Sequence, residues 1–118
     1  MRIKSEERYG ATILHLKGDV MGGPDGTKFH EQIHELVNAG QKNVIVDLAK
    51  VRFMNSSGLG IMIAGLTTLR NAGGDLRLAN AADRIQSLLM VSRLLTLFQH
   101  FDSVDAAVES YGESTEDA

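Results

Sequence analysis

Hydrophobic positions along the chain switch repeatedly between a spacing of two and a spacing of three to four, the pattern of strands alternating with helices. Arg2 to Glu7 reads as an opening strand, Tyr9-Gly10 as a turn, and Ala11 to Val20 as the returning strand of a hairpin. Thr12, Leu14 and Leu16 fall on one face of that strand, and Ile13, His15 and Lys17 on the other. The run Gly22-Gly23-Pro24-Asp25-Gly26 is dense in turn formers. After it Phe29, Ile33, Leu36 and Val37 recur at i, i+4, i+7 and i+8, which predicts an amphipathic helix ending at Gly40.

Val44-Ile45-Val46-Asp47-Leu48 has the composition of a short strand buried on both faces, hence central in a sheet. Asn55, Ser56 and Ser57 supply capping side chains for a second helix starting near Ser57. Its buried stripe is Leu59, Met62, Ile63, Leu66 and Leu69, and Gly73-Gly74 ends it. Leu76 and Leu78 alternate with Arg77 and Ala79 in a further strand, and Ile85, Leu88 and Leu89 mark a third helix. A last short strand is expected over Leu97 to Phe101. Ser103 then caps a final helix with Val104, Ala107, Val108 and Tyr111 inward.

This order, β-β-α-β-α-β-α-β-α, predicts a single α/β domain with four helices and a mixed, mostly parallel sheet that opens with an antiparallel hairpin. The domain is expected over residues 1–112, and residues 113–118, acidic and poor in apolar side chains, read as a disordered tail. Sites in open sheets of this kind gather where strands end and helices begin. That directs attention to Asp19 to Gly26 and to Arg52 to Gly60.

Composition narrows the function. With 118 residues, 43% of them hydrophobic, one core can be built but not two independent active domains. Twelve Lys and Arg against fifteen Asp and Glu give a net charge of −3, without the broad positive field that non-specific nucleic-acid binding needs. The absence of cysteine removes disulfides and thiolate metal sites. The opening residues lack the apolar core of a signal peptide, and no apolar run approaches the ~20 residues needed to span a bilayer. A cytoplasmic protein without membrane insertion is expected.

Three chemical motifs attract attention and fall short. His30-Glu31-Gln32-Ile33-His34 is a literal H-E-x-x-H, in which two helix histidines would hold zinc and Glu31 would act as base in a zinc hydrolase. Only His15 and His100 are left as further histidine ligands, and Phe29 and Ile33 claim the inward face, so a polar helix flank without metal is the simpler reading. Gly58-Leu59-Gly60 opens a helix after a strand, but Ile63 stands where a dinucleotide fingerprint asks for Gly or Ala, and no Walker lysine follows. Both glycines are therefore read as close-packing positions, and no cofactor is expected. Ser57 as a hydrolase nucleophile lacks the G-x-S-x-G elbow, and the histidines of the first helix are not placed to reach it.

The segment Val44 to Asn80, and above all Phe53-Met54-Asn55-Ser56-Ser57-Gly58-Leu59-Gly60, resembles the STAS domain of bacterial anti-sigma factor antagonists. The resemblance runs from the opening hairpin through Gly18-Asp19-Val20 to the last helix. It implies a binding module, not an enzyme, that captures an anti-sigma factor and so frees a sigma factor in a partner-switching pathway. In that family the anti-sigma factor doubles as a serine kinase and a metal-dependent serine phosphatase reverses its action. The phosphoacceptor is the second serine of the pair, which maps to Ser57. The implied docking face comprises Asp19, Met21, Gly22, Gly23 and Asp25 together with Asn55, Ser56, Ser57, Gly58 and Leu59. A phosphate at a helix start is tolerated by the dipole, so it would block docking without unfolding the domain. Asn55 and Met21 stand where phosphorylated members of the family carry acids. The alternatives are serines that serve only as caps, and a non-phosphorylated STAS module of a stressosome-like or lipid-transport assembly.

Overall fold

Tyr9 and Gly10 take φ values of 51° and 81°, and two successive left-handed residues make the tight reversal that matches strand twist in a two-residue hairpin. That reversal joins β1 (Arg2–Arg8) antiparallel to β2 (Ala11–Val20) in the computed structural model, which describes residues 1–92 and 96–116. The chain continues through α1 (Pro24–Asn38), β3 (Asn43–Met54), α2 (Ser56–Asn71), β4 (Asp75–Ala79), α3 (Asp83–Val91), β5 (His100–Phe101) and α4 (Val104–Glu116). Among the described residues five strands lie in the order β1-β2-β3-β4-β5, with every pair after the hairpin parallel. The expected α/β class, with an antiparallel opening hairpin on an otherwise parallel sheet, is what the structure shows.

Helices cover both faces of the sheet, and this explains why β2, β3 and β4 are buried in runs rather than alternately. On one face α1, α2 and α3 close a core that includes Leu14, Leu16, Phe29, Ile33, Val46, Met62, Leu66, Leu69 and Ile85. On the other, α4 lays Ala107, Val108 and Tyr111 on Ala11, Ile13, Ile45 and Ala79. The Tyr111 hydroxyl shares its one proton between the carbonyls of Val44 at 2.7 Å and Asp75 at 2.8 Å, and burial pushes its pKa well above the usual phenol value. Arg77 is buried beside it, its guanidinium 3.9 Å from the Tyr111 ring centroid and its Nε 3.1 Å from Asp75.

Several boundaries differ from the sequence reading. β3 runs to Met54 rather than stopping at Leu48, because a register shift between His15 and Lys17 inserts an extra β3 residue and breaks the periodicity while pairing continues. α1 begins at Pro24, inside the expected turn, since a proline at the first helical position gives up an N–H that would be unpaired anyway. Only His100 and Phe101 of the expected last strand pair with β4. Ile63 is half-buried, and Gly65 takes its place on the inner side of α2. The backbone of α4 extends past Gly112 to Glu116, and residues 117 and 118 of the expected tail lie outside the described residues.

Candidate functional site

The two loops singled out by topology meet at the carboxyl ends of β2 and β3. Asn55, half-buried, caps α2, accepting the Gly58 N–H on Oδ1 at 2.8 Å while its own N–H reaches the Val20 carbonyl at 3.4 Å. That fixes where α2 starts, and it leaves Ser56 and Ser57 exposed in the first turn. Neither serine hydroxyl has a hydrogen-bond partner among the described residues.

Gly58 and Leu59 are buried, so they position the helix and offer no side chain outward. A Cβ on Gly58 would overlap the Val20 carbonyl, which makes glycine obligatory for this approach of α2 to β2. Gly60 is different. It is exposed with open space around it, so the expectation that it too is a close-packing glycine is incorrect, and both glycines lie within α2 rather than in a phosphate-binding loop.

The Met21–Gly23 connection wraps against this helix start. Gly22 has φ 99°, and a Cβ there would sit 2.8 Å from the Ser57 Cβ, so the loop backbone lies directly on Ser57. Gly23 is exposed at the entry to α1, Met21 is 43% exposed, and Asp25 approaches the Met21 N–H at 3.5 Å. Asp19, half-exposed on β2, pairs with Arg52 at 3.5 Å. Phe53, 44% exposed at the end of β3, adds apolar surface beside Ser56.

Between α1 and α2 runs an open groove of about 500 Å³ lined by Gly22, Gly23, Gly26, His30, Ser57 and Ile61 among others. His30 therefore shares a groove with Ser57, but among the described residues no hydrogen bond joins them, so the histidine is not seen to reach the serine. This neighbourhood follows from α1 packing beside α2, which no local pattern announces. His30, Glu31 and His34 are all exposed. The two imidazoles stand edge to face with centroids 4.3 Å apart, and no third ligating side chain gathers with them among the described residues.

A second polar assembly went unnoticed in the sequence. On the α4 side of the sheet, beyond the helix, His15 Nε2 lies 2.8 Å from Glu6 and Nδ1 2.7 Å from Asp47. Asp47 also accepts from Asn80 at 2.9 Å and from the Ala49 N–H at 3.1 Å. The His15 hydrogen bond holds the Glu6 carboxyl below its ordinary value, with Arg8 assisting. Burial works to raise the Asp47 carboxyl, but hydrogen bonds from Asn80, Ala49 and His15 outweigh it and the net direction is down. Its members come from β1, β2 and β3 and from Asn80 just past the end of β4, so only the register could have revealed it.

No helix among the described residues is long and apolar enough to cross a membrane. A family model described as the STAS domain matches residues 2–107. The chain is 22% identical over 111 residues to BtrV of Bordetella bronchiseptica, covering 94% of this chain and 95% of that protein. It is 24% identical over 111 residues to the anti-sigma F factor antagonist of Paenibacillus polymyxa, covering 92% and 94%. Among solved structures, the Bacillus cell fate determinant SpoIIAA in its phosphorylated form superposes with a TM-score of 0.72 at 17% identity, covering 93% of this chain and 99% of that one.

Proposed function

The chain belongs to the STAS domain family, whose anti-sigma factor antagonists are regulators rather than enzymes, and on that premise we propose that it is itself an antagonist that binds an anti-sigma factor of the serine-kinase type. The observation that carries this reading is the exposed Ser57 in the first turn of α2, pressed against Gly22 and opening onto the groove between α1 and α2. The docking face combines the exposed Met21, Gly23, Ser56 and Ser57 with the half-buried Asp19, Gly22, Asp25 and Asn55, and Gly58 and Leu59 hold the helix start beneath it.

Phosphorylation of Ser57 would bring a charge of about −1.5 to −2 to the centre of this surface. The positive end of α2 accommodates that charge, so the fold is kept while a partner surface that must be desolvated is lost. Asn55 supplies the cap without supplying charge, and Met21 leaves its position uncharged. Both changes lower the negative charge a kinase would meet on approach. A metal-dependent phosphatase would reset the switch.

Capture from a lysate of the native host tests the reading. Wild type and Ser57→Ala should retain an anti-sigma factor identified by mass spectrometry, and Ser57→Asp should not. Equal retention by all three would remove Ser57 from the interface.

A further inference from the structure

Among the described residues α4 covers Ala11, Ile13 and Ile45 near the amino ends of β2 and β3, and beyond the half-buried His15 and Asp47 that sheet face is exposed at Lys17, Ala49 and Lys50. Across that exposed part Arg2 stands directly opposite Lys17, and Lys17 directly opposite Lys50, so three cations form one row over β1, β2 and β3. With neighbouring strands about 4.8 Å apart, the row is about 10 Å long. Lys4 sits in the adjacent row, opposite His15. Arg2, Lys4, Lys17 and Lys50 are exposed, and among the described residues none of them forms an ion pair or a side-chain hydrogen bond.

Like charges placed directly opposite one another destabilise a sheet, so this row is a cost to the isolated chain. A bulge creates it. Asp47 faces His15, and an unbroken register would put Ala49 opposite Lys17; the extra β3 residue brings Lys50 there instead. The carboxylates at hand have other partners, Glu6 and Asp47 in His15, Asp19 in Arg52 and Asp25 in the N-terminal amine. Next to the row is an open hollow of about 630 Å³ lined by Arg2, Lys17, Lys50 and Arg52, with Asp19 and Asp25 also on its wall.

We propose that this open half-face is a docking site for a short acidic segment of a partner protein, laid across Arg2, Lys17 and Lys50. The occupant follows from charge complementarity and size. A chain of net charge −3 repels long polyanions and anionic membranes as a whole, whereas a segment carrying three or four carboxylates meets only the local row. The hollow borders the docking face at Asp19, Met21 and Asp25, but Arg2, Lys17 and Lys50 lie outside that face, and the proposal does not depend on the function proposed for Ser57.

The test titrates a hexaglutamate peptide into the isotope-labelled full chain at about 25 mM and about 300 mM salt, followed by amide chemical shifts. Shifts should be confined to residues 2–4, 15–17 and 49–52, and affinity should fall at least about tenfold at the higher salt. The double variant Lys17→Gln, Lys50→Gln should lose the binding while melting no lower than wild type, because the like-charge contacts are gone. Shifts spread over the molecule, binding retained by the variant, or a less stable variant would each overturn the proposal. So would tighter binding to phosphatidylglycerol vesicles or single-stranded oligothymidylate than to the peptide. A dimer in sedimentation that the double variant dissolves would overturn it in favour of a second copy of the chain.

Discussion

Gly58 and Gly60 are two residues apart in one helix, yet alanine at each should act in opposite directions. At Gly60 a methyl group meets nothing within 4 Å, so Gly60→Ala should realise the ordinary helix preference of Ala over Gly and stabilise the protein by about 0.5–1 kcal/mol. At Gly58 the added Cβ would overlap the backbone carbonyl of Val20, which unlike a side chain cannot swing away. Relief requires lifting the first turn of α2 off β2. That lift would strain the Asn55 cap, worth about 0.5–2 kcal/mol, and the Asn55 N–H bond to Val20, worth about 0.5–1.5 kcal/mol. Set against a propensity gain of about 1 kcal/mol, these losses leave Gly58→Ala destabilised by up to about 2.5 kcal/mol net, with a central value of about 1 kcal/mol. Urea unfolding monitored by circular dichroism reads both variants, with m-values unchanged and midpoints moving in opposite directions. A Gly58→Ala protein as stable as wild type would refute the close approach of α2 to β2, and with it the placement of Ser57.

Leu66, 3% exposed in the main core, should cost about 2–5 kcal/mol on replacement by Ala; an effect below about 0.5 kcal/mol in the same unfolding assay would overturn the α2 register. Burial lowers the pKa of His100, whose Nε2 accepts the Ala81 N–H at 3.3 Å, so below about pH 6.5 the unfolded chain binds a proton that the folded chain refuses. Stability should therefore fall as pH drops below that value, and thermal melts of His100→Gln should show a shallower fall; equal slopes would contradict the assignment. Replacing the exposed His30 and His34 by Ala should leave stability and zinc content unchanged, and stoichiometric zinc lost in the double variant, measured by atomic emission, would revive the metal reading.

Much of the fold was legible because periodicity and punctuation agree. Tyr9-Gly10 divides two alternating segments, and Asn55 precedes a clear 3.6-residue stripe. Legibility failed where one residue serves two purposes or where register decides. Pro24 and Asp25 are good turn residues and equally good first-turn residues, so the start of α1 was hidden among turn formers. Ala49 to Met54 lost its alternation to the bulge, which concealed the second half of β3 and the row of cations it completes. The serine pair stood out through its motif, whereas the Gly22 contact with Ser57 and the groove shared with His30 depend on how α1 lies on α2. Gly58 and Gly60 look alike in a string of letters, and only their neighbours separate them.

The central claim is that the start of α2 is a docking face switched by phosphate at Ser57. Its most direct measurement is titration calorimetry of the anti-sigma factor recovered from the native host against wild type, Ser57→Ala and Ser57→Asp, each checked for an unchanged melt. Wild type and Ser57→Ala should bind alike, and Ser57→Asp should bind at least about a hundredfold more weakly, the effect of leaving a charge unpaired in a desolvated interface. With ATP present, the same partner should label Ser57 slowly, and Asn55→Asp should speed the labelling. Binding by Ser57→Asp as tight as wild type would contradict the account.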